Sequence, residues 1–592
     1  MKLSGILHRI LVWRIKHINT RDFVLILSVF IGIFSGFAAV ILKTLIHYIH
    51  IFLDNAVESQ GLNYLYLAFP IVGILLTVIY TQVFLNGKLG RGVSNILYEI
   101  SKKASIVRRD KMYSHLISSS LTVGFGGSVG LEAPIVVTGS AIGSNLGNAM
   151  HLDAKKRQLL IGCGAAAAIS AIFNAPIAGV LFALEILLVN LSVPSFIPLM
   201  IASVFGHLVS KLFLGEEILF YFLIKDNFLI GDVPYFIILG IVTGLLGLFF
   251  TRIIFSIENR AKSFTQPYMK AIIGGLSLGI LIFIFPPLYG EGYYAIKAIL
   301  SESPSRLLEN SLFISFYSNQ WMVLLFIVSL VFIKVFATSF TVGAGGNGGI
   351  FAPSLFIGAL SGFSVARIFN LLKLDINLSE SNFTLVGMAG VCAAMLRAPL
   401  TAIFLIAEIT SGYELFVPIM LVSAIAYITA SYFEPHSLYT KRLAIKGELL
   451  TQDKDKTVLS NLKIEKMIET DLSLVPIETK LGELTEIVAK SKRNIFPVIN
   501  ENEELLGIIL LDDIREIMFK PTMYDKVKVR ELMHAPPATI LYEDNMDLVM
   551  KKFERTEAWN LPVIKDGKYV GFLSKSNIFS RYRRLLIKET QD

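Results

Sequence analysis

The sequence predicts a polytopic α-helical membrane protein, built as a duplicated unit and followed by a soluble α/β domain. Three observations carry that expectation. Hydrophobic residues make up 54% of the 592 residues and charged ones only 17%, at a mean hydropathy of +0.63, outside the range of ordinary soluble chains. Uncharged runs at 23–42, 61–86, 159–184, 233–251, 271–290, 335–366 and 415–433 are long enough to span a bilayer. From Lys441 the composition turns charged for about one domain's length.

Taken in order, residues 1–22 form a basic N-terminal segment. Lys2, Arg9, Arg14, Lys16 and Arg21 stand there with no acid before Asp22, so the positive-inside rule places the segment in the cytosol, and no cleavable signal peptide is visible. Residues 23–440 form the membrane domain. Several of its spans are broken by Gly or Pro, which is tolerated at membrane depth where protein or a wet cavity satisfies the backbone, and so points to a transport pathway. Cys163 and Cys392, the only cysteines, lie in apolar helical stretches and read as packing residues rather than a disulfide. The net charge of +8 sits partly at membrane-flanking positions such as Lys441-Arg442, which suits anionic lipid headgroups better than nucleic acid. With no H-E-x-x-H, P-loop or cysteine-rich metal spacing, neither an enzyme nor a metal site is expected.

The membrane domain is organised around Gly126-Gly127-Ser128-Val129-Gly130-Leu131-Glu132-Ala133-Pro134, a glycine-dense turn holding one carboxylate within an uncharged run. A carboxylate at membrane depth costs roughly 2.5–3.5 kcal/mol on insertion scales, so Glu132 is a functional candidate. The glycines uncover backbone N–H groups, Ala133-Pro134 suits a first helical turn, and a helix N-terminus attracts anions. One such turn is explained as readily by close helix packing through small residues. A second copy changes the balance. Gly345-Gly346-Asn347-Gly348-Gly349-Ile350-Phe351-Ala352-Pro353 keeps the glycines at first, second and fifth place and the final Ala-Pro. Likewise Asn174-Ala175-Pro176 leads to Glu185 at the spacing by which Arg397-Ala398-Pro399 leads to Glu408. Two motifs recurring in order indicate a duplicated unit whose discontinuous helices aim their N-termini at an anion. Glu185 and Glu408, acids at helix ends, read more readily as structural caps than as transport groups.

These residues resemble the CLC chloride channels and chloride/proton antiporters, an inverted-repeat membrane fold. Gly130-Leu131-Glu132-Ala133-Pro134 is similar to the family's G-(K/R)-E-G-P, Phe173-Asn174-Ala175-Pro176-Ile177-Ala178-Gly179 to a further motif, and Gly349-Ile350-Phe351-Ala352-Pro353 matches G-x-F-x-P without change. The resemblance implies that Glu132 is the gating glutamate and that Gly130, Ile350, Phe351 and Tyr439 of Ser437-Leu438-Tyr439 line the anion sites. It also implies a homodimer with one pathway per subunit. Gly90-Arg91-Gly92-Val93-Ser94 departs from the family's G-S-G-I-P, so that Arg91 stands at the central anion site. Arg91 either adds a positive charge at the inner mouth or turns to the cytosolic surface beside Lys102, Lys103, Arg108 and Arg109. The antiporters' internal proton glutamate corresponds to Ile186, which carries no proton. The resulting expectation is a chloride channel or uncoupled anion conduit in a plasma (inner) membrane, surrounded by lipid, with both termini cytosolic. The alternative is a chloride/proton antiporter and the remote one a divalent-cation transporter, which would need more intramembrane acids.

After a linker at 441–460, two copies of about 65 residues follow, at 461–524 and 525–592. Ile464-Glu465-Lys466-Met467 answers Val529-Arg530-Glu531-Leu532, and Pro497-Val498-Ile499 answers Pro562-Val563-Ile564. They resemble a cytosolic pair of CBS domains, a module that often binds adenine nucleotides. The usual hydroxyl and aspartate of that pocket are split between Leu510 with Asp513 and Ser574 with Asn577, so a structural or dimerising role stands beside nucleotide binding. No other cofactor is expected; chloride is the transported ligand.

Overall fold

The structure, a computed structural model, describes residues 16–58, 65–90, 92–187, 195–215, 228–301, 303–309, 311–372, 377–410, 412–445, 462 and 464–591, by backbone alone at 54–58, 547 and 584–591. The basic residues Lys2, Arg9, Arg14 and Arg91, and positions 446–460 of the expected linker, lie outside the described residues. The chain divides into two compact units, Met1–Leu449 and Leu450–Asp592.

In the first unit, nine helices among the described residues are long and apolar enough to cross a membrane. The first half holds α1 (Thr20–Glu58), α2 (Leu65–Leu85), α3 (Gly92–Lys102), α4 (Lys111–Gly124), α5 (Glu132–Ala149), α6 (Ala154–Phe173), α7 (Pro176–Phe182) and α8 (Phe196–Leu214). The second holds α9 (Val233–Ala261), α10 (Pro267–Ile284), α11 (Tyr293–Leu300), α12 (Gln320–Ala344), α13 (Phe351–Leu371), α14 (Glu380–Leu396), α15 (Pro399–Ile409) and α16 (Phe416–Phe433), and α17 (Lys441–Ile445) closes the unit. The packing repeats with the sequence. α5 lies on α6 as α13 lies on α14, α1 on α8 as α9 on α16, and α7 meets α15, its own counterpart.

Local signals explain where these helices begin and end. Asp153, Asn319 and Ser379 cap α6, α12 and α14 by accepting backbone N–H bonds. Asn174 and Arg397, at matching places, end α6 and α14 in the left-handed conformation (φ 54° and 57°), and Pro176 and Pro399 then start α7 and α15. The uncharged run 335–366 is not one span: Gly345, at φ 106°, ends α12, and α13 starts only at Phe351. Uniform hydropathy hides such a break, because the residues on both sides are equally apolar and equally buried. α1, at 39 residues, is about 58 Å long against a hydrocarbon core of about 30 Å.

The second unit holds two three-stranded sheets of identical order. β1 (Val475–Pro476) pairs parallel with β2 (Ile495–Ile499), which pairs antiparallel with β3 (Leu505–Leu510); β4 (Ile540–Leu541), β5 (Asn560–Lys565) and β6 (Lys568–Ser574) repeat the arrangement. Gly507 and Gly571 lie inside β3 and β6, opposite Val498 and Val563, where each register shifts. Phe496 and Val498 centre one apolar core, Phe553 and Val563 the other.

Candidate functional site

The two glycine turns meet head to head. Gly130 N–H donates to Gly349 O (2.9 Å) and Gly349 N–H to Gly130 O (2.6 Å). Each turn is also tied to the opposite half. Ser128 N–H donates to Thr341 Oγ1 (3.2 Å) and Asn347 N–H to Thr122 Oγ1 (3.0 Å), from threonines four residues before the first glycine of each turn. The starts of α5 and α13 are thereby brought to one point, and each carries about half a positive charge.

Glu132, the first residue of α5, is 2% exposed. Its carboxylate crosses the symmetry point and sits on the start of α13, where Ala352 N–H donates to Oε1 (2.6 Å), while the N–H of Phe351 and those of Glu132's own helix start also face it. Oε2 is buried without a hydrogen-bond partner among the described residues. The seat exists because of glycine: a Cβ on Gly130 would come 2.1 Å from Oε2, and one on Gly349 would come 2.9 Å from Cδ of Glu132. A small anion released into this place would meet the same donors.

Ile350, Tyr439, Gly90 and Gly349 line a cavity of about 430 Å³ that adjoins the two turns. Tyr439 is buried, and its carbonyl accepts the hydroxyl of Ser94 (2.8 Å). The ion pair of Arg442 with Glu258 and the side chain of Lys270 border the same cavity. Phe351 is buried and packs its ring against Phe173, 5.3 Å between centroids, so α6 braces the start of α13. Arg91, outside the described residues, falls between Gly90 and Gly92, both on the cavity wall.

The second motif pair forms a swapped pair of caps. Glu185, in the π turn Ala183–Leu187 that continues α7, accepts from Leu400 N–H (3.1 Å), Thr401 N–H (2.7 Å) and the Thr401 hydroxyl (2.7 Å) at the start of α15. Glu408, at the end of α15, accepts from Ile177 N–H (2.9 Å) and Ala178 N–H (2.8 Å) at the start of α7. Ile186 is buried beside Glu185.

Sequence reasoning missed three groups. Lys334, on α12, is fully buried with Nζ donating to Gly290 O (3.0 Å) and 4.9 Å from the centroid of Phe356. Glu291 stands on the loop before α11, within electrostatic reach of Glu132. His115, buried on α4, places Nδ1 3.2 Å from the amide nitrogen of Asn347 and Nε2 3.1 Å from Leu89 O. An acceptor at Nδ1 and a donor at Nε2 make it the neutral Nε2–H tautomer. Each is a lone polar residue in an ordinary sequence context, and only packing brings it to the turns.

In the second unit, the residues of the expected nucleotide pocket are occupied by one another. Asp513 accepts from Leu510 N–H (2.8 Å) and pairs with His534 (3.0 Å). The Ser574 hydroxyl donates to Glu469 (2.6 Å), and Asn577 N–H donates to Ser574 while its side-chain amide donates to Met467 O. Glu469 is in turn paired with Arg493 (2.9 Å).

Comparison with known proteins agrees with the fold and the motifs. The family profile described as voltage gated chloride channel matches residues 73–431, and that of the CBS domain matches 464–520 and 529–584. Chloride channel protein CLC-e of Arabidopsis thaliana is 25% identical over 550 residues, covering 82% of this chain and 75% of that protein. The H(+)/Cl(-) exchange transporter ClcA of Vibrio cholerae is 26% identical over 445 residues, covering 72% of this chain and 91% of its own length. Among solved structures, a slow cyanobacterial Cl-/H+ antiporter superposes with a TM-score of 0.62 at 24% identity, over 72% of this chain and 98% of that one. A eukaryotic CLC transporter does so with 0.61 at 18% identity, over 94% and 97%. Both structural likenesses speak to the fold alone. The profile match, spanning well over half of the chain, makes this protein a member of the voltage-gated chloride channel family, with the CLC fold in its membrane unit and a CBS pair after it.

Proposed function

We propose that the chain conducts chloride, or a small anion like it, across the membrane as a channel or uncoupled conduit gated by Glu132. The observation that carries the reading is the seat of that carboxylate. It occupies the meeting point of two helix starts, held by one hydrogen bond with its second oxygen unpartnered among the described residues, as a releasable stand-in for an anion. Gly130, Ile350, Phe351 and Tyr439 then line the route. Protonation discharges Glu132, weakens its hold on α13 and frees the place for chloride. Ile186 supplies no internal proton carrier, and Glu185 beside it is committed to capping α15, which favours the uncoupled reading.

The exchange reading keeps a specific support, because ClcA of Vibrio cholerae is named an H(+)/Cl(-) exchange transporter. Chloride efflux from liposomes holding the purified protein, recorded together with proton movement, separates the two. Chloride flux without uphill proton movement is expected; uphill proton movement establishes exchange and a route around Ile186. Glu132→Gln, which fixes the neutral state, is expected to abolish the pH dependence of chloride efflux, and an unaltered profile refutes the gate. The remaining parts of the reading are a homodimer with one pathway per subunit and cytosolic termini, the latter supported by the basic N-terminal segment. The CBS pair serves structure or dimerisation, with an adenine nucleotide as the ligand it would take if it also senses one.

A further inference from the structure

Two cavities of the membrane unit meet at one ion pair. The first, of about 430 Å³, reaches Ala133, Gly349 and Ile350 beside the seat of Glu132. The second, of about 620 Å³, has the exposed Asn259 and Lys262 in its wall and so faces the surface. Both cavities are walled by Gly90, Ser94, Glu258 and Arg442. Arg442 lies on α17, three residues after Tyr439, and its guanidinium donates to the carboxylate of Glu258 on α9. Glu258 is 2% exposed, so this acid stands inside the protein where the cavities join.

The pair is held from several sides. Lys441 pairs with Glu434, just after α16, and Lys441 Nζ (5.2 Å) and Arg442 Cζ (5.6 Å) both lie over the Phe255 ring of α9. Thr440 N–H donates to Ser437 Oγ (3.2 Å), which fixes the turn that carries Tyr439 into α17. The charged residues lining the first cavity are Arg442, Lys270 and Glu258, and those lining the second are Arg442, Lys262 and Glu258, among the described residues. Each wall thus sets two cations against one acid, and the acid is the same in both.

An acid beside an anion route repels the ion the route serves. A buried arginine needs a counter-charge, which is one reason for Glu258 to be there. Its place supplies another, because a pathway must bind its ion well enough to admit it and weakly enough to release it. We propose that the Arg442–Glu258 pair sets the affinity of this mouth for the transported anion, Arg442 drawing it in and Glu258 keeping it from being held. The inference rests on chloride passing through the first cavity to the seat of Glu132.

The test is the initial rate of chloride efflux from liposomes loaded with a series of chloride concentrations, at low and at high total salt made up with potassium gluconate. Wild type, Glu258→Gln, Arg442→Gln and the double variant are compared, each eluting as a single species. Glu258→Gln leaves the Arg442 charge unbalanced. It is expected to lower the half-saturating chloride concentration about fivefold at low salt, and less at high salt, without raising the maximal rate. Arg442→Gln is expected not to lower it, and the double variant, with the net charge of the wild-type pair, to stay within about twofold of wild type. A pair that only fastens α17 to α9 gives another order, in which both single variants and the double shift the same way at either salt. That order overturns the proposal, as does an unchanged half-saturating concentration in Glu258→Gln. Should Glu258→Gln not fold, Lys270→Gln removes a cation from the same cavity; a rise of similar size and salt dependence is expected, and an unchanged value overturns the proposal. If the wild-type protein passes no chloride, the transport reading itself has failed and the inference falls with it, a result read before any variant is compared.

Discussion

Glu132 and the pair Glu185 and Glu408 solve one problem in two ways. All three are carboxylates from one half of the membrane unit placed on a helix start of the other half. Glu185 and Glu408 do so reciprocally, with both oxygens of each engaged by N–H or hydroxyl donors. Glu132 does so alone, because its counterpart in the second repeat is Phe351, and it holds α13 through one oxygen. Charge-assisted hydrogen bonds contribute about 1.5–3 kcal/mol each, so the swapped caps are expensive to open and the Glu132 contact is the cheaper one to release. A duplicated fold thus keeps its symmetric pair as structure and breaks symmetry where something must move.

The comparison is broken most directly by evicting Glu132 without altering it. Gly130→Ala puts a Cβ 2.1 Å from Oε2 and 2.4 Å from Oε1, the far end of a flexible side chain that can swing away. The Gly130 backbone is outside the left-handed region, so alanine adds no strain of its own. We expect chloride efflux raised several-fold at neutral pH and nearly independent of pH, as in Glu132→Gln. Wild-type pH dependence in a well-folded Gly130→Ala protein would show that the carboxylate does not need this seat.

The caps should respond in the opposite sense. Glu185→Gln and Glu408→Gln each exchange a charged two-oxygen acceptor for a neutral amide, with an expected loss of about 1–3 kcal/mol of stability, read as a lower Tm in detergent. The pH profile of chloride efflux should not move. If Glu185→Gln shifts it, Glu185 belongs to a proton route around Ile186, and the division between structural and mobile carboxylates fails there.

How far these roles were legible follows from repetition. The glycine turns, Glu132 and the 174–185 and 397–408 spacings recur within one chain, so the sequence exposes both the duplication and the place where Glu132 faces Phe351. The swap itself was not legible: equal spacing puts Glu185 and Glu408 at helix ends but does not say that each caps the start of the helix that leads to the other. Glu258 and Arg442 lie 184 residues apart, and nothing local joins them. The cross-ties from Thr122 and Thr341 were present as a repeat four residues before each turn, yet threonine in an apolar helix more often bonds back to its own backbone. In the second unit the 65-residue period foretold two matching sheets, while the occupation of Ser574 by Glu469 depended on a contact between residues 105 apart.

A third kind of carboxylate, engaged but in water, completes the comparison and should matter least. Arg493 pairs with Glu469 (2.9 Å) and Asp471 (2.8 Å), and the guanidinium holds the exposed Asp471 carboxyl below its usual 3.8. A carboxyl lowered in the folded state adds stability above its unfolded value, and that contribution disappears as pH falls through the folded one. Exposed pairs of this kind are weak and screened by salt. Arg493→Gln should therefore cause only a slight loss of hydrogen–deuterium exchange protection near Glu469 and β6 in the full chain at pH 7. The difference from wild type should shrink with added salt, and it should shrink further as the pH falls below 3.8 through the lowered value of Asp471. A deficit of equal size at pH 7 and pH 3 would mean that Arg493 acts through packing of its stem rather than its charge, placing it with the buried caps instead.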